Sequence, residues 1–191
     1  NCSPSANNAN VNTSNTNRGT TMGNAANTMG NAYNSAANTI SNATKSVTGG
    51  TDEDFMKDVA NAGTDEIEFS KLASTKSTNA DIKKFAQMMV ADHTKAATEL
   101  KALATKKSVT LPTDMDSSHK SELDSLKSKT GADFDKTYVD DMVSDHEKAV
   151  SDFQSKAKNA SDPDVKAFAE KTLPTLQKHL DAIKAIQAKM K

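Results

Sequence analysis

Tryptophan is absent from this chain, cysteine occurs once, and aromatic residues make up only 4% of it. A single cysteine, Cys2, permits no internal disulfide and no thiolate metal cluster. No apolar run approaches the roughly 20 residues that span a bilayer as a helix. Neither sign of charge is in excess: the formal net charge is -1, which argues against nucleic acid as a partner. No glycine-rich phosphate loop, nucleophile elbow or Ser/His/Asp arrangement is visible, so no catalytic residue is assigned. Ala, Lys, Asp, Ser and Thr dominate, which suits helices packed through small side chains. The 191 residues are enough for one domain plus a tail.

Residues 1–50 are the tail. Asn, Thr, Ser, Ala and Gly fill them, acidic residues are missing, and Arg18 and Lys45 are the only charges. Such a composition buries too little apolar surface to offset the entropy of ordering it, so a flexible tether is expected. Within it Met22, Ala26, Met29, Tyr33, Ala36, Ile40, Ala43 and Val47 are spaced alternately four and three apart. That heptad stripe predicts a segment, 22–47, that turns helical against a partner or a second copy of itself. Cys2, followed by Ser3, Pro4, Ser5 and Ala6, resembles the start of a mature bacterial lipoprotein, with Asn1 as one extra residue. The resemblance implies a lipidated Cys2, membrane association through that anchor, and a place in the bacterial cell envelope, periplasm or outer membrane.

Gly49-Gly50 marks the boundary with a domain at 51–191. Helical periodicity predicts four long helices, over about 52–76, 80–107, 133–159 and 163–189. In the first, Phe55, Val59, Ala62, Phe69 and Ala73 share a stripe; in the second, Ile82, Ala86, Met89, Ala96, Leu100 and Leu103 do. In the third the stripe is Val139, Met142, Ala149 and Phe153, and in the fourth Val165, Phe168, Leu176, Ile183 and Ile186. Pro112 stops the second helix, and a shorter helix over 114–129, ended by Gly131, lies in the connection. Pro174, inside the fourth helix, is expected to kink it. A connection of about 25 residues is long enough to travel the length of a bundle. The fold class is therefore all-α: a ferritin-like four-helix bundle with a long helical crossover between helices 2 and 3. Two internal echoes, MVADHTKA with MVSDHEKA and ADIKKFAQ with PDVKAFAE, suggest a duplicated hairpin.

Each long stripe contains one polar residue: Glu66, His93, His146 and His179 in turn. Each lies about 12 to 15 residues into its helix, roughly 18–22 Å along an axis of about 40 Å. Mid-height is shared whether neighbours run parallel or antiparallel, so the four side chains can meet in one layer. Burying them is costly unless they satisfy one another. Two arrangements do so. One is a single transition-metal ion (Zn, Fe, Mn or Cu) held by Glu66, His93, His146 and His179, with no organic cofactor. The other is a metal-free hydrogen-bond network, in which Glu66 accepts from the histidines. In a third, some of the four sit at the edge of their stripes and meet water. Asp92 and Asp145 point about 100° away from their neighbouring histidines and are solvated or interhelical partners. Asp116 and His119 have the one-turn spacing of a carboxylate–histidine pair, but on a short crossover helix they are expected at the surface, and Tyr138 is either a hydroxyl near the site or packing.

Glu66 with Gly63 and Ile67, the run Phe85 to His93, Phe134 to Tyr138, Met142-Val143 with His146, and Leu173-Pro174 with His179-Leu180 stand in a specific order and spacing. They resemble the bacterial envelope family called domain of unknown function 4142, over about 52–185. The resemblance implies a ferritin-like fold and an exported protein, without naming a reaction. Di-iron ferritin-like proteins use Glu-x-x-His. Here Val90, Val143 and Leu176 stand three before the histidines, so at most a single metal is expected. The functional alternatives are a membrane-anchored protein with one His/Glu metal site and a non-enzymatic structural or interaction lipoprotein with a metal-free network.

Overall fold

The computed structural model describes residues 50–190. The expected lipidation of Cys2, the tether over 1–49 and the heptad stripe at 22–47 lie outside the described residues. Helix α1 spans Asp52–Lys76, α2 Ala80–Lys106, α3 Ser117–Ser128, α4 Gly131–Asn159 and α5 Pro163–Lys189; no strand occurs among the described residues.

Local chemistry explains the boundaries. Thr51 opens α1 with a reciprocal cap: its hydroxyl accepts from Asp54 N, and the Asp54 carboxylate accepts from Thr51 N. Asn79 caps α2 by accepting from Asp81 N and Ile82 N, and Asp162 caps α5 by accepting from Asp164 N and Val165 N. These matched caps, followed by buried Ile82, Phe85 and Ala86 in one helix and Val165, Phe168 and Ala169 in the other, give the second internal echo a structural meaning. Gly131 adopts φ 56°, but it opens α4 rather than closing α3, whose last carbonyls are met by Lys129 N. α5 runs unbroken across Pro174, which lies on its exposed face.

α1 packs along α2, and α4 along α5, as two hairpins with three-residue turns; the hairpins meet through α2 with α5 and α1 with α4. α3 lies against α1 and α4. Most of the expected stripe residues are buried, while Val59, Ala96, Leu103 and Ala149 are half-buried. Ala62 is exposed, and Met56, which the stripe omits, is buried beside Phe55.

The apolar core is divided in two. Phe69, Ile82, Phe85, Met89, Phe134, Tyr138, Met142 and Ile183 form part of one cluster. Phe55, Met56, Leu100, Phe153, Val165, Phe168 and Leu176 form part of the other. In every long helix the polar residue falls between its two apolar halves: Glu66 between Met56 and Phe69, His93 between Met89 and Leu100, His146 between Met142 and Phe153, and His179 between Leu176 and Ile183. A polar storey thus separates two hydrophobic ones.

Candidate metal centre

The four side chains converge. Glu66 is 5% exposed and His93 8%, while His146 and His179 are fully buried. The three imidazole centroids lie 5.4–5.7 Å apart, and one nitrogen of each ring lies within 4.8 Å of the others. Phe85 closes one side, its ring edge-on to both His146 and His179.

Each ring is held by one nitrogen. His93 Nδ1 donates to Glu66 Oε2 at 2.9 Å. His146 Nδ1 donates to the Met142 carbonyl at 2.9 Å, with Glu66 Oε1 3.5 Å away. His179 Nε2 donates to Asp92 Oδ2 at 2.9 Å. An acceptor at one ring nitrogen fixes the proton there in the neutral ring, and the opposite nitrogen keeps its lone pair. Those opposite atoms are His93 Nε2, His146 Nε2 and His179 Nδ1; all three are buried and have no hydrogen-bond partner. With all three rings neutral, three unpartnered lone pairs would share the small space between rings whose centroids lie 5.4–5.7 Å apart. That is chemically unfavourable unless a cation or a proton occupies it.

Electrostatics fits the geometry. Burial pushes the Glu66 carboxyl up, but His93, His146 and His179 pull it down further, and it ends below the ordinary glutamate range. Burial lowers His93, yet Glu66 raises it more, so His93 holds its proton tightly. Burial leaves His146 and His179 below the ordinary histidine value and hence neutral. A metal ion would displace the extra proton from His93 and take three imidazole lone pairs.

The family profile described as "Domain of unknown function (DUF4142)" matches residues 36–186. The chain belongs to this family. No curated protein matches it. Among solved structures, this DUF4142 chain is similar to CopM in the Cu(I)-bound form, with TM-score 0.62 and 19% identity over 73% of this chain and 97% of CopM. CopM in the Ag-bound form obtained by co-crystallization gives TM-score 0.61 and 20% identity, over 73% of this chain and 97% of that one. A DUF305 fragment from Deinococcus radiodurans gives TM-score 0.64 at 10% identity, over 72% and 95% of the two chains. At these identities the likeness establishes a shared helical fold.

Of the residues singled out in the sequence, Glu66 meets the histidines but stands apart from the group of three possible donors; its place is behind the ring of His93. Asp92 proves to be an interhelical partner, reaching from α2 to His179 on α5, with its side chain 39% exposed. Its outer side opens on a shallow groove of about 90 Å³ that also involves Lys95, Glu99 and Lys171. Tyr138 shares a buried hydrogen bond with Ser70 at 2.9 Å, within the neighbouring apolar cluster. Asp145 lies at the surface, where burial of part of the group and the nearby Glu66, Asp141 and Glu122 push it up to about 7.

Sequence reasoning missed Asp65, Ser70 and the Met142 carbonyl. Asp65 is 5% exposed and 3.0 Å from His119 Nδ1 on α3. Its only signal was adjacency to Glu66. A backbone carbonyl leaves no signal in sequence at all.

Proposed function

We propose that this protein is an exported metal-binding helical protein whose His93, His146 and His179 hold one soft or borderline transition-metal ion in the core. The observation that carries the reading is that His93, His146 and His179 each have one buried ring nitrogen without a partner, and each offers one ring nitrogen within 4.8 Å of the others. Glu66 and Asp92 serve behind the ligands, fixing the tautomers of His93 and His179. A set of three imidazoles favours Cu, Zn or Fe over Mn, which prefers oxygen. The CopM structures carry Cu(I), Cu(II) or Ag, so copper is the first ion to test.

The same reading takes the four long helices as a ferritin-like bundle in which residues 107–130 form the crossover; the length of that connection and its packing against both hairpins support it. It also takes Cys2 as the lipid anchor and 22–47 as a self-association segment, on the sequence pattern alone. The rival, a metal-free structural network, keeps a doubly protonated His93 beside the unpartnered nitrogens of His146 and His179.

Protein purified without a polyhistidine tag or chelator, and titrated with Cu(I) against a competing colorimetric chelator, tests the centre. One ion per chain is expected, lost in His146→Ala. A wild-type chain that takes up none leaves the rival standing. Cys2→Ser should move the protein out of the membrane fraction. Deleting 1–50 should leave metal uptake intact while removing membrane attachment and any self-association.

A further inference from the structure

The histidine centre is shut inside the protein, so an ion needs a way in. His146 and His179 are fully buried and His93 is 8% exposed. Apolar clusters fill the bundle on either side of the polar storey, and carrying a cation through them is costly. Sideways, the bundle has four junctions. Two lie within the hairpins, where α1 packs along α2 and α4 along α5. A third, between α1 and α4, has α3 lying against both helices. The fourth, between α2 and α5, is closed differently. A ladder of polar pairs joins these antiparallel helices: Asp81 with Lys189, Asp92 with His179, Glu99 with Lys171 and Lys106 with Asp164, each at 2.8 or 2.9 Å. Around the second and third rungs the walls carry the small side chains of Ala96, Thr172 and Thr175 and leave the groove of about 90 Å³. Of the two carboxylates that hold a ring, Asp92 alone reaches water: its side chain is 39% exposed, against 6% for Glu66.

We infer that the α2–α5 groove is the port through which a soft cation enters and leaves the centre, with Asp92 as its inner gate and the Glu99–Lys171 pair as its outer one. The inference rests on the metal centre proposed above and deepens it. Asp92 is open to water on one side and hydrogen-bonded to His179 on the other, so a cation drawn to it stands one side chain away from the unpartnered His179 Nδ1. Passing further requires the His179 ring to turn. The hydrogen bond from Nε2 to Asp92 resists that motion, and Phe85 stands edge-on to the ring on another side. Further out, Lys171 holds Glu99 across the groove and sets a positive charge in the path. Both of these side chains are partly exposed, so their pair opens at little cost.

The test separates rate from affinity in the full, tag-free chain, because a gate alters the barrier and not the end states. Stopped-flow mixing with Cu(I) held on a weak colorimetric chelator gives the uptake rate. Transfer to a strong chelator, at concentrations where the rate no longer depends on it, gives the release rate, and competition gives Kd. Thr172→Trp adds bulk in the groove two turns before His179, and should slow uptake and release together by at least ~10-fold with Kd unchanged. Lys171→Ala removes the outer pair and should quicken both by up to ~5-fold. Lys184→Ala breaks a comparable ion pair, to Glu147 on α4 at 2.6 Å, and should leave both rates at their wild-type values. Circular dichroism confirms that each variant is folded. Wild-type rates in both Thr172→Trp and Lys171→Ala overturn the port, and so does a Thr172→Trp chain that loses affinity while releasing the ion no more slowly. A wild-type chain that binds no Cu(I) at equilibrium is a different result: it removes the metal centre itself, and the port with it.

Discussion

The carboxylate of Asp92, on α2, accepts the Nε2 proton of His179, on α5, at 2.9 Å across the junction between the two hairpins. This contact decides which nitrogen of His179 faces the core, and it joins the hairpins at the height of the centre. Asp92→Ala should therefore lower affinity for the core metal about 10- to 100-fold without unfolding the chain, because Asp92 is partly exposed. Competition titration of the folded variant measures this. Unchanged affinity would show that His179 is oriented by packing against Phe85 alone.

Glu66 is buried beside the three histidines and accepts the hydrogen bond of His93 Nδ1–H. Glu66→Ala leaves that N–H without an acceptor and opens a void, and should cost about 2–4 kcal/mol in the metal-free protein. Glu66→Gln keeps an acceptor oxygen and should cost less. Urea unfolding of both variants decides the point. Equal stability of the alanine variant and wild type would mean that Glu66 satisfies nothing.

Asp65 gives a pH dependence of definite sign. Burial, opposed by His119 and reinforced by Asp116, pushes its carboxyl from an ordinary 3.8 up to about 6. A folded-state value above the unfolded one means that Asp65 favours folding in acid and that this contribution is lost as pH rises through about 6. In chelator-treated protein, the melting temperature of Asp65→Asn should thus gain on wild type between pH 4 and 7. A difference that stays flat with pH would contradict the assignment.

At the far end of the molecule Lys156 is buried, with Nζ 2.7 Å from the Gly50 carbonyl and 3.1 Å from Asp52 Oδ1. Asp52 Oδ2 also accepts from Asp162 N at 2.7 Å. The start of α1 is thereby stapled to the α4–α5 turn. Asp52→Ala leaves the buried ammonium with the Gly50 carbonyl but no counter-charge, and removes the acceptor of Asp162 N, so it should destabilise by about 2–3 kcal/mol. Thermal unfolding measures it. Lys156→Met, which removes the charge as well, should be milder.

Residue pattern alone was enough for the helices and for the height of the polar storey. Caps such as Asn79 and Asp162 are local chemistry, and the positions of Glu66, His93, His146 and His179 follow from the 3.6-residue repeat. Periodicity also placed most of the core; it failed at Ala62, which is exposed, and passed over Met56, Phe85, Ala104, Phe134 and Ala169, which are buried outside the predicted stripes. Roles within the storey were another matter. That Glu66 stands behind His93 depends on how α1 packs along α2, and that Asp92 reaches His179 depends on how the hairpins dock; the Met142 carbonyl that holds His146 is one turn away on the same helix, and there the ring's rotamer decides. The Asp65–His119 contact likewise joins residues brought together only when the crossover folds back on α1. Sequence periodicity fixes which face of a helix is buried and at what height; only docking fixes which atom meets which, because a ring nitrogen's proton follows its nearest acceptor.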